Sequence, residues 1–173
     1  MQAMQRCHQV TVSEVDRRLI SELNLLGFDL AERRPTKMVK KINDLTEIFI
    51  FTGVGKKRAE VVVNPIIGVE NVLLRERLQS SELGRKHATR VCHAYLGLLA
   101  SWDQLFLSSR EELDGAMSKI VKSVVDVGLP TMREFDSVGA VKLLLQQQIV
   151  GANTTKLAVL FAEEKLRAIE RDT

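Results

Sequence analysis

Hydrophobic residues in this chain follow a helical period at both ends and an extended pattern in between. The first helical stripe consists of Val15, Leu19, Leu23 and Leu26. Recurrence at every third or fourth position is typical of one face of an amphipathic helix. The apolar residues at 48–51 and 61–63 are instead consecutive and mostly β-branched or aromatic, which favours strands. Helical spacing returns after residue 109, and this order of elements predicts the α+β class.

Capping residues place the helix boundaries. Two segments fit a capping box, in which a hydroxyl and a carboxylate satisfy free amides at a helix N-terminus. The two pairs are Thr11 with Glu14 and Ser109 with Glu112. Gly27 and Gly128 are predicted to end these two helices, because glycine readily adopts the left-handed conformation of a C-terminal cap. Further helices are predicted to begin at Asp136 or Ser137 and at Asn153.

Extended segments are predicted at residues 28–34, 37–43, 48–51 and 61–63, after which Pro65 restricts continuation of the ladder. Residues 69–84 fit either a short helix or a strand, and residues 90–99 are assigned to a further strand. The predicted α+β fold has an N-terminal helix, an antiparallel β-meander of about four to five strands, and about three to four C-terminal helices packed on the sheet.

We expect a single domain over residues 1–173, with residues 1–10 poorly ordered, since no repeat, low-complexity tract or polar linker divides the chain. With 45% apolar and 27% charged residues, the chain has enough apolar side chains for a core, and this excludes the disordered class. No apolar run reaches the ~18 residues of a membrane span, and residues 1–10 do not resemble a signal peptide. We therefore expect a cytoplasmic protein without a membrane partner.

The cysteines do not indicate a metal site. Cys7 and Cys92 lie far apart, and each is followed by a histidine. Structural zinc sites use ligands spaced two to four residues apart, whereas adjacent residues on a strand point to opposite faces. We predict reduced thiols, no bound metal and no cofactor.

Basic side chains are concentrated between residues 33 and 58, where Asp44 and Glu47 are the only acidic residues. Such a cluster attracts an acidic protein or a phosphate backbone, or it serves solubility as a solvated face. We select seven residues of this cluster as candidate partner-binding residues: Arg33, Arg34, Lys37, Lys40, Lys56, Lys57 and Arg58.

The segment 48–62 also matches the helix-hairpin-helix pattern, and its GVGKK core resembles the DNA-contacting hairpin of base-excision glycosylases. In that arrangement Gly53 and Gly55 let backbone amides approach a phosphate closely. The glycosylase activity does not carry over, because the position of the catalytic aspartate is occupied by Arg75 in a gapless comparison. As extended structure, the segment needs its glycines only for a tight turn. We predict a β-hairpin with its loop at TGVGKKR, and keep helix-hairpin-helix as the alternative.

No residue pattern indicates an enzyme. The pairs Glu111-Glu112 and Glu163-Glu164 are adjacent acids within helical segments, whereas general acid–base catalysis needs convergent groups. The histidines have no partner at the spacing of a catalytic triad, and the glycines lack the spacing of a phosphate-binding P-loop. We predict that the protein has no catalytic residues.

A whole-length resemblance lies in the order of elements between residues 12 and 148. Its residues are Leu26-Gly27-Phe28, the segment 48–51, Val61-Val62-Val63-Asn64 with Gly68, Trp102, Gly128-Leu129-Pro130, Phe135, Ser137 and Leu143-Leu144-Leu145. Over this span the chain resembles small bacterial α+β proteins that occur among the immunity proteins of polymorphic toxin systems. These residues describe packing, so the resemblance bears on the fold more than on the role.

The resemblance implies a non-catalytic cytoplasmic protein that binds and neutralises a cognate toxin domain, for example from a contact-dependent growth-inhibition system. Inhibitors of nuclease toxins are often acidic, whereas the first half of this chain is basic. Either the toxin presents an acidic face, or the acidic helices of the second half form the contact. The alternative hypothesis is a nucleic-acid-binding module that uses Lys56, Lys57 and Arg58, whose affinity falls steeply with salt.

Overall fold

The computed structural model describes residues 9–31, 34–79, 90–150 and 156–171. The strands are β1 (Asp29–Ala31), β2 (Arg34–Lys41), β3 (Thr46–Phe51), β4 (Val54–Lys57), β5 (Glu60–Val63), β6 (Ile66–Asn71), β7 (Arg90–Tyr95) and β8 (Leu105–Leu107). The helices are α1 (Val12–Leu25), α2 (Val72–Gln79), α3 (Leu96–Leu99), α4 (Arg110–Ser123), α5 (Leu129–Arg133), α6 (Val138–Val150) and α7 (Lys156–Glu170), with a π-helical turn at Val124–Gly128. The predicted α+β class and the order helix, antiparallel strands, helices are confirmed.

The described strands form two sheets. One has the order β1-β2-β3-β6-β7, and the other has the order β4-β5-β8. The segments 48–51 and 61–63, which we expected in one meander, lie in β3 and β5 and therefore belong to different sheets. The structure describes more strands than we predicted, because β4, β6 and β8 form where the sequence pattern indicated a loop, an ambiguous stretch or no strand.

The predicted hairpin turn at Gly53–Gly55 is wrong in position. Gly53 has φ +60° and lies in the connection between β3 and β4, whereas Gly55 is an interior residue of β4. The chain reverses at Arg58 and Ala59, and Arg58 takes the left-handed φ of +58°. Residues 46–63 are extended apart from these two short connections, so the helix-hairpin-helix arrangement is not formed.

The chain divides into two compact units, each assembled from three segments. Unit 1 consists of Met1–Lys40, Ile50–Ile67 and Ala94–Pro130. Unit 2 consists of Lys41–Phe49, Gly68–His93 and Thr131–Thr173.

Unit 1 has a core made by the apolar stripe of α1, the inner face of β5 and the stripe of α4. Its buried residues include Val15, Leu19, Leu23, Val61, Val63, Leu113, Met117 and Ile120. The Thr11 hydroxyl accepts a hydrogen bond from the amide of Glu14 at 3.2 Å, and Ser109 with Glu112 forms the predicted capping box of α4. Both predicted helix starts are therefore confirmed.

Unit 2 is built around the buried parts of β3 and β6 and helices α2, α6 and α7. Its buried residues include Ile48, Phe49, Val69, Leu74, Val141, Leu145 and Ile169. The Ser137 hydroxyl accepts from the amide of Ala140 at 3.2 Å and so caps α6, as predicted. The predicted cap Asn153 lies outside the described residues.

Gly128 does not end a helix, contrary to our prediction. The amide of Leu129 donates to the carbonyl of Val124, five residues back, and the helical path continues into α5. Pro130 explains the wider turn, because proline has no amide hydrogen and its ring would clash with the carbonyl four residues back in a regular α-helix. Gly128 serves packing instead, since a Cβ there would lie 2.8 Å from Cδ1 of Ile67.

The predicted strand over residues 90–99 is correct only for its first part. β7 ends at Tyr95, and residues 96–99 form α3. The amide of Leu96 donates to the carbonyl of Pro65 at 2.8 Å, within unit 1. Of the ambiguous stretch 69–84, residues 72–79 form α2, and residues 80–84 lie outside the described part of the chain.

Candidate binding surface

The β4–β5 hairpin of unit 1 presents three cations to solvent. Lys56 and Lys57 end β4, and Arg58 occupies the turn; all three side chains are exposed. The register places Lys57 opposite Glu60. Gln9, just before α1, donates from Nε2 to the carbonyl oxygen of Ala59 at 3.2 Å, which ties the turn to the chain that precedes the first helix.

The β4-β5-β8 sheet has an inner and an outer face. Val61 and Val63 are buried on the inner face. Residues directly opposite on paired strands project to the same face, so Val62 lies on the outer face together with its partner Phe106 of β8. Phe106 is 40% exposed.

A cation lies beside this exposed ring. The Nζ of Lys57 is 5.5 Å from the centroid of Phe106, within the range of a cation–π contact. In the same part of unit 1, the Ser108 hydroxyl donates to Oε1 of Glu60 at 3.2 Å. We define the hairpin surface as Lys56, Lys57, Arg58, Val62 and Phe106.

The remaining candidate residues of the sequence analysis do not lie on the hairpin. Lys40 donates from Nζ to the carbonyl of Leu26 at 2.5 Å and lies 5.8 Å from the centroid of Phe28, so it satisfies the C-terminal end of α1. Lys37 is half-buried in β2 and has contacts of its own. Arg34 begins β2, and Arg33 lies outside the described residues. Only Lys56, Lys57 and Arg58 of the seven are shown as exposed cations on one element.

Sequence reasoning missed Phe106. Phe106 lies between Leu105 and Leu107, so all three residues are apolar and no polar residue indicates which one faces outward. The alternation becomes visible only from the register, which buries Leu107 and exposes Phe106.

Unit 2 contains a group of basic side chains around a thiol. The Nζ of Lys165 on α7 donates to the carbonyl of Arg90 at 2.7 Å, and Lys165 is only 9% exposed. Burial, and then the charge of Arg90, lower the pKa of the Lys165 amine from 10.5 to about 8. Burial raises the pKa of the Cys92 thiol from 9.0 to about 11. A thiol with a raised pKa is a poor nucleophile, so this group does not constitute a reactive cysteine site.

His93, on the same strand, has a pKa lowered by burial and by the charges of Arg90 and Lys165. Among the described residues, no three His, Cys, Asp or Glu side chains come together in a way that would hold a metal ion. The other cysteine–histidine pair of the sequence, Cys7 and His8, lies outside the described part of the chain.

A groove of about 380 Å³ lies between α1 and α4 in unit 1. Met117 and Val121 line it, and Arg18 crosses its rim from Glu22 (3.1 Å) to Asp114 (3.6 Å). Because Arg18 already bridges two carboxylates, the residues that line the groove offer no unpaired cation to a ligand.

Searches with this chain found no matching protein-family model, no matching curated protein and no matching solved structure. Across the described ranges, no helix combines the length and apolar character needed to traverse a lipid bilayer.

Proposed function

We propose that this protein is a non-catalytic immunity module that binds and neutralises a cognate bacterial toxin domain, and that the hairpin surface contacts the toxin. One observation supports this assignment above the others: the β4–β5 hairpin carries three exposed cations, and the strand paired with it, β8, carries a 40%-exposed aromatic ring beside Lys57. Aromatic and basic residues are enriched among the anchors of protein interfaces.

The charge of the hairpin surface selects the partner. An acidic face on the toxin, such as a group of metal-binding carboxylates, complements Lys56, Lys57 and Arg58, and the attraction also speeds association. Covering such a group would block the substrate path of the toxin without any chemistry by the immunity module.

The test is protection of cells. If the gene directly upstream encodes a large secreted protein, its variable C-terminal domain is the toxin candidate, and it is expressed with and without this chain. We expect survival with the wild-type chain and loss of survival when Lys56, Lys57 and Arg58 are all changed to Ala. A matched control removes three exposed cations from helices: Arg17, Lys122 and Arg133 to Ala. Failure of the wild-type chain to protect, or equal protection by both triple variants, contradicts the proposal.

A nucleic-acid-binding module is the second candidate function, and the contact between Lys57 and Phe106 favours it. Cations beside an exposed aromatic ring suit a single strand, on which bases stack while the backbone pairs with charge. The two functions are separated by measuring the affinity for oligothymidylate between about 50 and 200 mM salt, because counterion release has a large effect on affinity over this range. A steep linear decrease of the logarithm of the affinity with the logarithm of the salt concentration supports this second function.

A further inference from the structure

Gly55 lies in the interior of β4 without a conformational reason to be glycine. Its neighbours pair in an unbroken register, with Val54 opposite Val63 and Lys56 opposite Val61, so there is no bulge at this position. Its φ is not in the left-handed range, unlike that of Gly53. Glycine weakens a strand, because it adds backbone freedom to the unfolded chain and no side chain to the sheet.

Packing inside the chain does not require this glycine either. A Cβ built on Gly55 would meet no heavy atom within 4 Å. By contrast, a Cβ at Gly53 would overlap the carbonyl oxygen of Asn64, and one at Gly97 would lie 2.8 Å from the Trp102 ring. A strand glycine with neither reason is typical of a place where a ligand or another chain approaches the backbone closely.

The register places Gly55 on the same face as the exposed aromatic ring, with Val62 between them. Gly55 pairs with Val62, and Val62 pairs with Phe106, so the three residues form one cross-strand row on the outer face. The missing side chain at Gly55 makes a step beside Val62, and Phe106 lies on the other side of Val62. Strands are about 4.8 Å apart, so the row spans about 10 Å, wide enough for one planar side chain. We call the row Gly55, Val62 and Phe106 the outer-face shelf.

We infer that the outer-face shelf binds an aromatic side chain carried by an acidic segment of a protein partner. The inference rests on the proposed function and specifies the chemistry of its partner. A ring lying on the bare backbone of Gly55 would contact Val62 and extend over it towards the edge of Phe106 on the next strand, and edge-on contact is a favourable aromatic geometry. Carboxylates flanking that ring would then pair with Lys57, which lies on the same face, and with Arg58 in the adjoining turn, so charge complementarity selects the segment.

The experiment titrates the full-length ¹⁵N-labelled chain with an acetylated and amidated pentapeptide of sequence Glu-Glu-Trp-Glu-Glu. Amide shifts in two-dimensional NMR report which residues it contacts. We expect saturable shifts at Gly55, Val62 and Phe106. The same peptide with Ala in place of Trp should bind about tenfold more weakly, because it keeps the charges and loses the anchor.

The decisive variant is Gly55→Val, which fills the step with a residue that strands favour and whose Cβ meets no atom of the chain. We expect an affinity for the Trp peptide about tenfold below that of the wild-type chain, with an unchanged circular dichroism spectrum. Gly115→Ala is the matched control, since a Cβ at Gly115 on α4 also meets open space. It should bind like the wild-type chain.

Equal binding by Gly55→Val and wild type, shifts confined to other residues, or no shifts at all would overturn the inference. Shifts at the shelf with oligothymidylate and none with the peptide would overturn it in favour of nucleic acid.

The immunity role and the binding role of the shelf can fail independently of each other. If toxin protection is absent while the peptide still binds the shelf, the immunity role is wrong. If protection depends on the three cations while Gly55→Val protects normally, the shelf is wrong.

Discussion

Substitution by Ala at two nearby glycines, Gly53 and Gly55, should change the stability of the protein in opposite directions. In Gly53→Ala, the new side chain would sit at φ +60°, which costs an L-residue about 1–2 kcal/mol. The new Cβ would also overlap the carbonyl oxygen of Asn64, whose amide donates to the carbonyl of Gly53 at 3.0 Å. Relief of the overlap breaks this hydrogen bond at about 1 kcal/mol, for a total loss of about 2–3 kcal/mol.

Gly55→Ala has the reverse sign. The strand has room for the methyl group, and removing a strand glycine stabilises a protein by about 0.5–1 kcal/mol. The two variants should therefore differ by about 3 kcal/mol, or about 6–12 °C in melting temperature for a chain of this size.

Equilibrium urea unfolding measures both free energies. Trp102 is the single tryptophan, and its Nε1 donates to Oγ of Ser123 at 2.9 Å, so its fluorescence reports unfolding of unit 1. Far-ultraviolet circular dichroism provides the second probe, and coincident transitions justify a two-state analysis. Equal destabilisation by the two substitutions would refute the assignment of Gly53 to a constrained connection and Gly55 to an open strand.

Three further predictions concern stability. Thr11→Ala should cost about 1 kcal/mol of unfolding free energy, while Thr11→Ser should not, as measured by urea unfolding, because only Ala loses the cap of α1. Arg75→Met should destabilise the protein by more than 1 kcal/mol, about the limit for exposed pairs, because it leaves the half-buried Glu47 without its 2.6 Å partner. The double variant with Glu47→Gln should recover part of this loss, and strict additivity in the mutant cycle would contradict the coupling. Between pH 8 and 9, the unfolding free energy of the wild-type chain should rise by up to about 1.4 kcal/mol relative to that of Lys165→Met. The reason is that the Lys165 amine loses its proton near pH 8 in the folded chain but only at higher pH in the unfolded chain. A difference between the two chains that does not change with pH would contradict this prediction.

Local patterns predicted the elements whose formation depends on neighbouring residues. The stripe of α1, the capping box at Ser109 and the cap at Ser137 are confirmed, because a helix satisfies its hydrogen bonds within a few residues. The extended character of residues 48–51 and 61–63 is also confirmed, since β-branched and aromatic side chains favour an extended backbone locally.

The wrong predictions concern positions where residues distant in the sequence determine the local structure. The helix after Ser109 passes Gly128 because Pro130 is accommodated by a π-helical turn and the glycine packs against Ile67. Residues 96–99 leave the strand and form α3, with the amide of Leu96 bonded to Pro65 far along the chain. Neither outcome is visible in the immediate sequence.

The candidate surface shows the same division. The sequence alone identified the cations at Lys56, Lys57 and Arg58, because charge is a property of single residues. Only the tertiary structure separated Lys40, which bonds to the end of α1, from these exposed residues and placed Gly55, Val62 and Phe106 in one row. Strand pairing joins residues far apart in the chain, and a shift of one residue would turn Phe106 to the opposite face, so no local pattern contains this information.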